Sequence, residues 1–143
     1  MDKMELTQEV IRNLLTACVF GSIVFFPAVV APLVFRVLDG DQASLFLRAL
    51  FPRYYLFLII TAGLAAFASW GEPAQALGLG AISLSTFYVR DVMVPKINAW
   101  RDLEMDEGDQ EAAAKFKRGH RATVVINMVQ LVIAGVVLAR VAG

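Results

Sequence analysis

Apolar residues in this chain gather into four long runs rather than short alternating patches. Uncharged stretches extend from Asn13 to Phe35, Tyr54 to Gly71, Pro73 to Val89 and Ala122 to Ala139, which are 23, 18, 17 and 18 residues long. Each approaches the roughly 20 residues that a helix needs to cross hydrocarbon. The pattern therefore predicts an all-α integral membrane four-helix bundle, one domain over 1–143, with spans at about 13–35, 54–71, 73–92 and 121–140 and short loops. Punctuation refines it. Asp41-Gln42-Ala43-Ser44 after Gly40 looks like a helix start, and Leu45, Phe46, Ala49 and Leu50 then follow at amphipathic spacing before Pro52. This short piece is expected to lie in the interface or to enter the second span through a bend. Pro73 fits the first position of the third helix, and Pro95 marks its end or a kink. Asp109 can cap the fourth helix, whose Glu111-to-Phe116 segment favours helix and would carry it several turns beyond the membrane. Asp102 to Asp109 reads as an acidic, solvated loop. Pro27 and Pro32 in the first span predict a bend or local opening.

Composition changes the picture only by sharpening it. The chain is 58% hydrophobic and 18% charged, with a mean hydropathy of +0.63. Soluble domains run nearer 45–50% apolar and about 25% charged. The first apolar run is too long for a signal-peptide core, and no small-x-small cleavage site ends it before Arg36, so it is expected to stay as a span. Cys18 has no second cysteine to pair with.

Net charge is zero, but the basic residues are unevenly placed. Arg36, Arg48, Arg53, Lys96, Arg101, Lys115, Lys117, Arg118 and Arg121, with Arg90 close by, fall in the two longer connections. Lys3, Arg12 and Arg140 fall on the other side. The positive-inside rule puts both basic connections in the cytoplasm and the two termini outward, as in a bacterial inner-membrane protein. Basic residues that flank spans, with no recognised module, exclude nucleic acid as the partner. The lipid bilayer is the partner this pattern implies, with a homo-oligomer or a larger membrane complex open beside it.

Two polar stripes carry the candidate chemistry. His120, Thr123, Asn127 and Gln130 recur at helical spacing in the fourth helix, and Ser83, Thr86 and Arg90 do so in the third. Polar groups in hydrocarbon are costly unless they face the bundle interior, a cavity or a ligand. Arg90 and Asp91 point about 100° apart on a regular helix, so their mutual pairing is expected to be poor. Arg90 would then meet Asp39 or a ligand anion, and Asp91 one of Arg36, Arg53 or Arg121.

The run Phe51-Pro52-Arg53-Tyr54-Tyr55, the segment Val94-Pro95-Lys96-Ile97-Asn98, and Phe116 with Gly119-His120-Arg121, Asn127 and Gln130 resemble one family. It is the transmembrane-protein-205-like family of small four-helix membrane proteins, which carries the label domain of unknown function 4149. Pro-x-x-Asn before a helix with His-x-x-Thr is also similar to the anthrone-oxygenase-like family. More remotely, it is similar to copper-resistance-D-type and small-membrane protoporphyrinogen-oxidase-type proteins. The resemblance implies a four-helix bundle with a polar site at the cytoplasmic helix ends. It leaves the activity, and whether the protein is an enzyme, open.

Three functions fit these residues. The first is an accessory or binding membrane protein with an inter-helix site around His120, formed with Arg53, Asn98, Thr123, Asn127 and Gln130. The second is an oxidoreductase for a lipophilic aromatic substrate, with His120 as general base and Arg90 or Tyr54 steadying an enolate-like oxygen. The third is haem or copper ligation by His120, the one histidine, with Met93, Met105, Met128 and Cys18 at no ligand spacing. No cofactor is required by the sequence.

Overall fold

The computed structural model describes residues 2–141, with the Val141 side chain excluded. Met1, Ala142 and Gly143, which the single-domain expectation also covers, lie outside the described residues. The chain forms four rods: α1 (Lys3–Phe25), a π-helical turn (Phe26–Val30) and α2 (Ala31–Val37) make the first; α3 (Gly40–Phe67) is the second; α4 (Pro73–Tyr88), a second π-helical turn (Val89–Met93) and α5 (Val94–Glu107) make the third; α6 (Gln110–Val141) is the fourth. All four are long and apolar enough to cross a membrane, and no strand occurs among the described residues. The rods close a ring in which α1 and α4 each lie between α3 and α6. Val19, Ile23, Leu58, Ala62, Ala65, Leu79, Ile82 and Ala134 meet at its centre. Small residues there let the backbones approach without a large core. Phe25, Phe35, Phe57, Ile60, Leu77, Leu84, Val125 and Val132 face outward on all sides, an arrangement that lipid, not water, tolerates.

Each proline in the span region acts differently from a simple break. Pro27 lies inside the first π turn and Pro32 two residues after it; the Ala31 N–H that closes this turn reaches back five residues to the Phe26 carbonyl. Pro95 follows the second, where the Val94 N–H reaches the Val89 carbonyl in the same way. A proline has no N–H and crowds the carbonyl four residues back, and one wider turn ahead of it relieves both problems. Of the end or kink expected at Pro95, the end does not occur: the rod continues through α5 to Glu107. Pro52 likewise sits inside an unbroken α3, so the segment before it, expected either to lie in the interface or to enter the second span, runs into that span and does not stand apart.

Connections are short. Asp39 caps α3 by accepting from the Gln42 N–H at 2.9 Å. The α3–α4 turn reverses at Gly71, whose φ of +90° suits a residue without Cβ. α5 and α6 form a helical hairpin closed by Gly108, at φ +66°, and by Asp109, whose Oδ1 accepts from the Glu111 and Ala112 N–H groups. Asp109 caps as its sequence suggested. Asp102 to Glu107, expected as a loop, is helical because α6 and α3 support it. Arg48 on α3 hydrogen-bonds both carboxylate oxygens of Asp102. In the hairpin Gly119 lies against Ile97 and Trp100, and a Cβ there would come within 2.9 Å of the Ile97 side chain.

Candidate functional site

The best-connected polar group lies between α4 and α6, inside the apolar stretches. Ser85 and Thr86 each donate their hydroxyl hydrogen to the Ile82 carbonyl, at 3.1 and 2.7 Å. Helix geometry makes that carbonyl available three and four residues back. Both hydroxyl oxygens are then left as acceptors. Gln130, 3% exposed, turns its Nε2 to them, at 2.8 Å from Ser85 Oγ and 3.1 Å from Thr86 Oγ1. This fixes the amide's orientation: only the nitrogen can face two spent hydroxyls. Its oxygen consequently points away, buried and without a hydrogen-bond partner. One turn earlier, Asn127 approaches the buried Tyr55 hydroxyl. Tyr55 stacks on Phe51 at a ring separation of 5.6 Å, and Tyr54 packs against Phe26 of the first π turn.

Other candidates lie around this group but not within it. Tyr54 donates to the Ser22 carbonyl at 3.3 Å, which ties α3 to α1. Arg90, in the second π turn, donates from Nε to the Pro52 carbonyl at 3.1 Å and from Nη1 to Asp91 at 2.8 Å. The expectation that Arg90 and Asp91 pair poorly is thus corrected. They occupy a wider turn than a regular helix, and the long Arg90 side chain folds back. Asp39 and Arg36 take no part. Arg53 is exposed and donates to the Ala49 carbonyl of its own helix at 2.6 Å. Asn98 is half-buried on α5.

His120 departs most from its stripe. It is exposed on α6, and its ring stacks over Phe116 one turn back, at 6.2 Å. Thr123 is buried but donates only to the His120 carbonyl, at 2.7 Å. The stripe is not one line, because 3.6 residues per turn do not divide its spacing: ten residues leave Gln130 about 80° from His120, so Gln130 faces α4 and His120 turns away. Among the described residues no three His, Cys, Asp or Glu side chains are grouped as a metal site. The residues sequence reasoning missed are Ser85 and Tyr55. Ser85, beside Thr86 in an apolar run, was the available signal.

A second set of buried polar side chains lies at the opposite end, near the α3–α4 turn. Arg12 is 7% exposed and Gln75 is 8% exposed, and Thr16 and Ser69 are fully buried. Thr16 and Ser69 donate to carbonyls one turn back. Gln8 donates to the Ala68 and Trp70 carbonyls at the α3 terminus, both at 2.9 Å.

Comparison with known proteins supplies no activity. An uncharacterized protein of Aquifex aeolicus (strain VF5) is 31% identical over 75 residues, 52% of this chain and 57% of that protein. The match thus spans little more than half the length of that relative. No solved structure matches. The family model described as Domain of unknown function (DUF4149) matches residues 14–105. That range holds Tyr54, Ser85, Thr86 and Arg90 and stops before α6, which supplies Gln130 to the same group. With most of its length, including three of its four apolar rods, under that model, the chain belongs to the DUF4149 family.

Proposed function

We propose that this chain is an accessory or binding protein of a bacterial inner membrane, with its polar inter-helix site centred on Gln130 rather than on His120. The observation that supports this is the Gln130 carboxamide. Its nitrogen is committed to Ser85 and Thr86, while its oxygen is buried without a donor. A buried unpaired acceptor costs free energy, about 1–3 kcal/mol, and a lipophilic molecule or partner helix carrying an O–H or N–H would relieve it. His120, Arg90 and Tyr54 make separate local contacts, so the accessory role is favoured over proton abstraction by that trio.

The test is mass spectrometry of solvent extracts and co-purifying chains from gently solubilised protein, beside Gln130→Leu. A stoichiometric ligand or partner that Gln130→Leu loses while its melting temperature holds is the expected outcome. Protein that carries neither, or a Gln130→Leu variant that keeps both, would overturn the proposal. Orientation follows from charge. In a Cys18→Ser background, a cysteine at Trp70 should label from outside intact cells and one at Glu107 should not. The reverse pattern would place the basic connections outside.

A further inference from the structure

Gln75 presents the same chemical anomaly at the other end of the bundle. Its side chain is more than nine-tenths buried, and its Oε1 has no hydrogen-bond partner. It lies in the first turn of α4 and lines a groove of about 190 Å³ between α4 and α6. Gly78 sets how close the two helices come, since a Cβ there would stand 3.0 Å from the Ile133 side chain. Past that contact the groove runs along Val132 and Val136, and Arg140 lines it near the end of α6. Arg140 is exposed, and no ion pair holds it among the described residues. The groove therefore combines an apolar wall, an unpaired acceptor and a cation, next to the α3–α4 turn where the apolar stretches end.

A larger groove between α1 and the end of α3, about 600 Å³, differs in the one respect that matters. Its amide, Gln8, is already committed to two carbonyls.

We propose that the α4–α6 groove is a specific site for an anionic phospholipid whose headgroup also carries hydroxyl donors, of the phosphatidylglycerol kind. The Arg140 guanidinium takes the phosphate through forked hydrogen bonds. A headgroup hydroxyl donates to Gln75 Oε1 after a small side-chain rotation. The first methylenes of the acyl chain lie along Gly78, Val136 and Val132. A choline headgroup offers no such donor, so the site discriminates between phospholipids that share a phosphate.

The experiment uses the full chain in nanodiscs of mixed phosphatidylglycerol and phosphatidylcholine, with retained lipid read by native mass spectrometry after detergent transfer. Phosphatidylglycerol should be retained in preference to phosphatidylcholine. Arg140→Ala should weaken retention about tenfold and Gln75→Leu about fivefold, as expected for a charge-assisted and a neutral hydrogen bond. Gln75→Met, with a side chain of similar length, serves if Gln75→Leu fails to assemble. Equal retention of both lipids, or retention unchanged in either variant, would overturn the proposal. So would inorganic phosphate that displaces the lipid at matched concentration, because the site would then take a free anion. Gln130→Leu should leave retention unchanged, which separates this site from the one between Ser85 and Gln130.

Discussion

Within the apolar stretches α4 and α6 meet through Ser85, Thr86 and Gln130, with Gly78 close to Ile133. Beyond Arg90 and Arg121 the same two rods meet again as α5 and α6. There the contact is Gly119 under Ile97 and Trp100, with the Arg101 guanidinium 5.2 Å from the Phe116 ring centroid. The first contact uses small side chains and hydroxyl-to-amide hydrogen bonds. The second uses a large aromatic seated on a glycine and a cation over a ring. The difference is one of solvent. In hydrocarbon, apolar bulk gains little by leaving lipid, so association comes from close approach and hydrogen bonds. In water or headgroups, burying Trp100 and Ile97 is itself favourable.

The comparison breaks most visibly at Gly119. Gly119→Leu drives a side chain into Ile97 and Trp100 and should destabilise the hairpin by about 1–3 kcal/mol, the usual cost of overpacking. Thermal melting in detergent and proteolysis between Glu107 and Lys117 would both report it. An unchanged melt would mean that the hairpin is held elsewhere.

A smaller effect is expected in the apolar seam. Ser85→Ala with Thr86→Val removes both acceptors from the buried Gln130 Nε2 and should cost about 1–2 kcal/mol. Adding Gln130→Leu should recover much of that loss, because it removes the amide left stranded. No recovery in the triple variant would show that helix propensity, not the hydrogen bonds, caused the change.

Tyr54→Phe tests the α1–α3 contact. The Tyr54 hydrogen bond to the Ser22 carbonyl is long, at 3.3 Å, so a loss of no more than about 0.5–1 kcal/mol is expected. A larger loss would mean that the π turn of the first rod depends on this hydroxyl.

The smallest effect belongs to the pair outside the apolar stretches. Hydrogen bonds from Arg48 hold the Asp102 carboxyl below its ordinary range, and donating them to that carboxylate raises the Arg48 guanidinium. Because the folded carboxyl titrates lower than the unfolded one, near pH 3.9, the pair's stabilisation is complete above that value. It disappears as pH falls through the folded value. Wild type should therefore melt slightly above Asp102→Asn at neutral pH, and the two should converge on acidification. High salt should narrow the gap as well. A gap that persists in acid would assign the effect to helix packing.

Much of the architecture was legible in the residues. Four uncharged runs bound four rods, Asp109 announced its cap, and Glu111 to Phe116 announced the extension of α6. The prolines were legible as irregularities but not in kind: a single sequence shows the missing N–H, not whether the chain breaks or widens by one residue. The site was half legible. Gln130 and Thr86 appear in the polar stripes, yet His120, which headed one of them, lies on the exposed side.

By itself the sequence determined that the chain is helical, how many apolar rods it has, and which of their residues are expensive to leave in lipid, because these depend on local composition and span length. Tertiary structure alone decided which polar atoms meet. Two residues of one polar stripe can meet different surroundings, as exposed His120 and buried Gln130 do, because ten residues at 3.6 per turn leave them about 80° apart. It also decided which atoms stay unpaired. The Ser85 and Thr86 hydroxyls spend their hydrogens on the Ile82 carbonyl, so the Gln130 amide must turn its nitrogen toward them and its oxygen away.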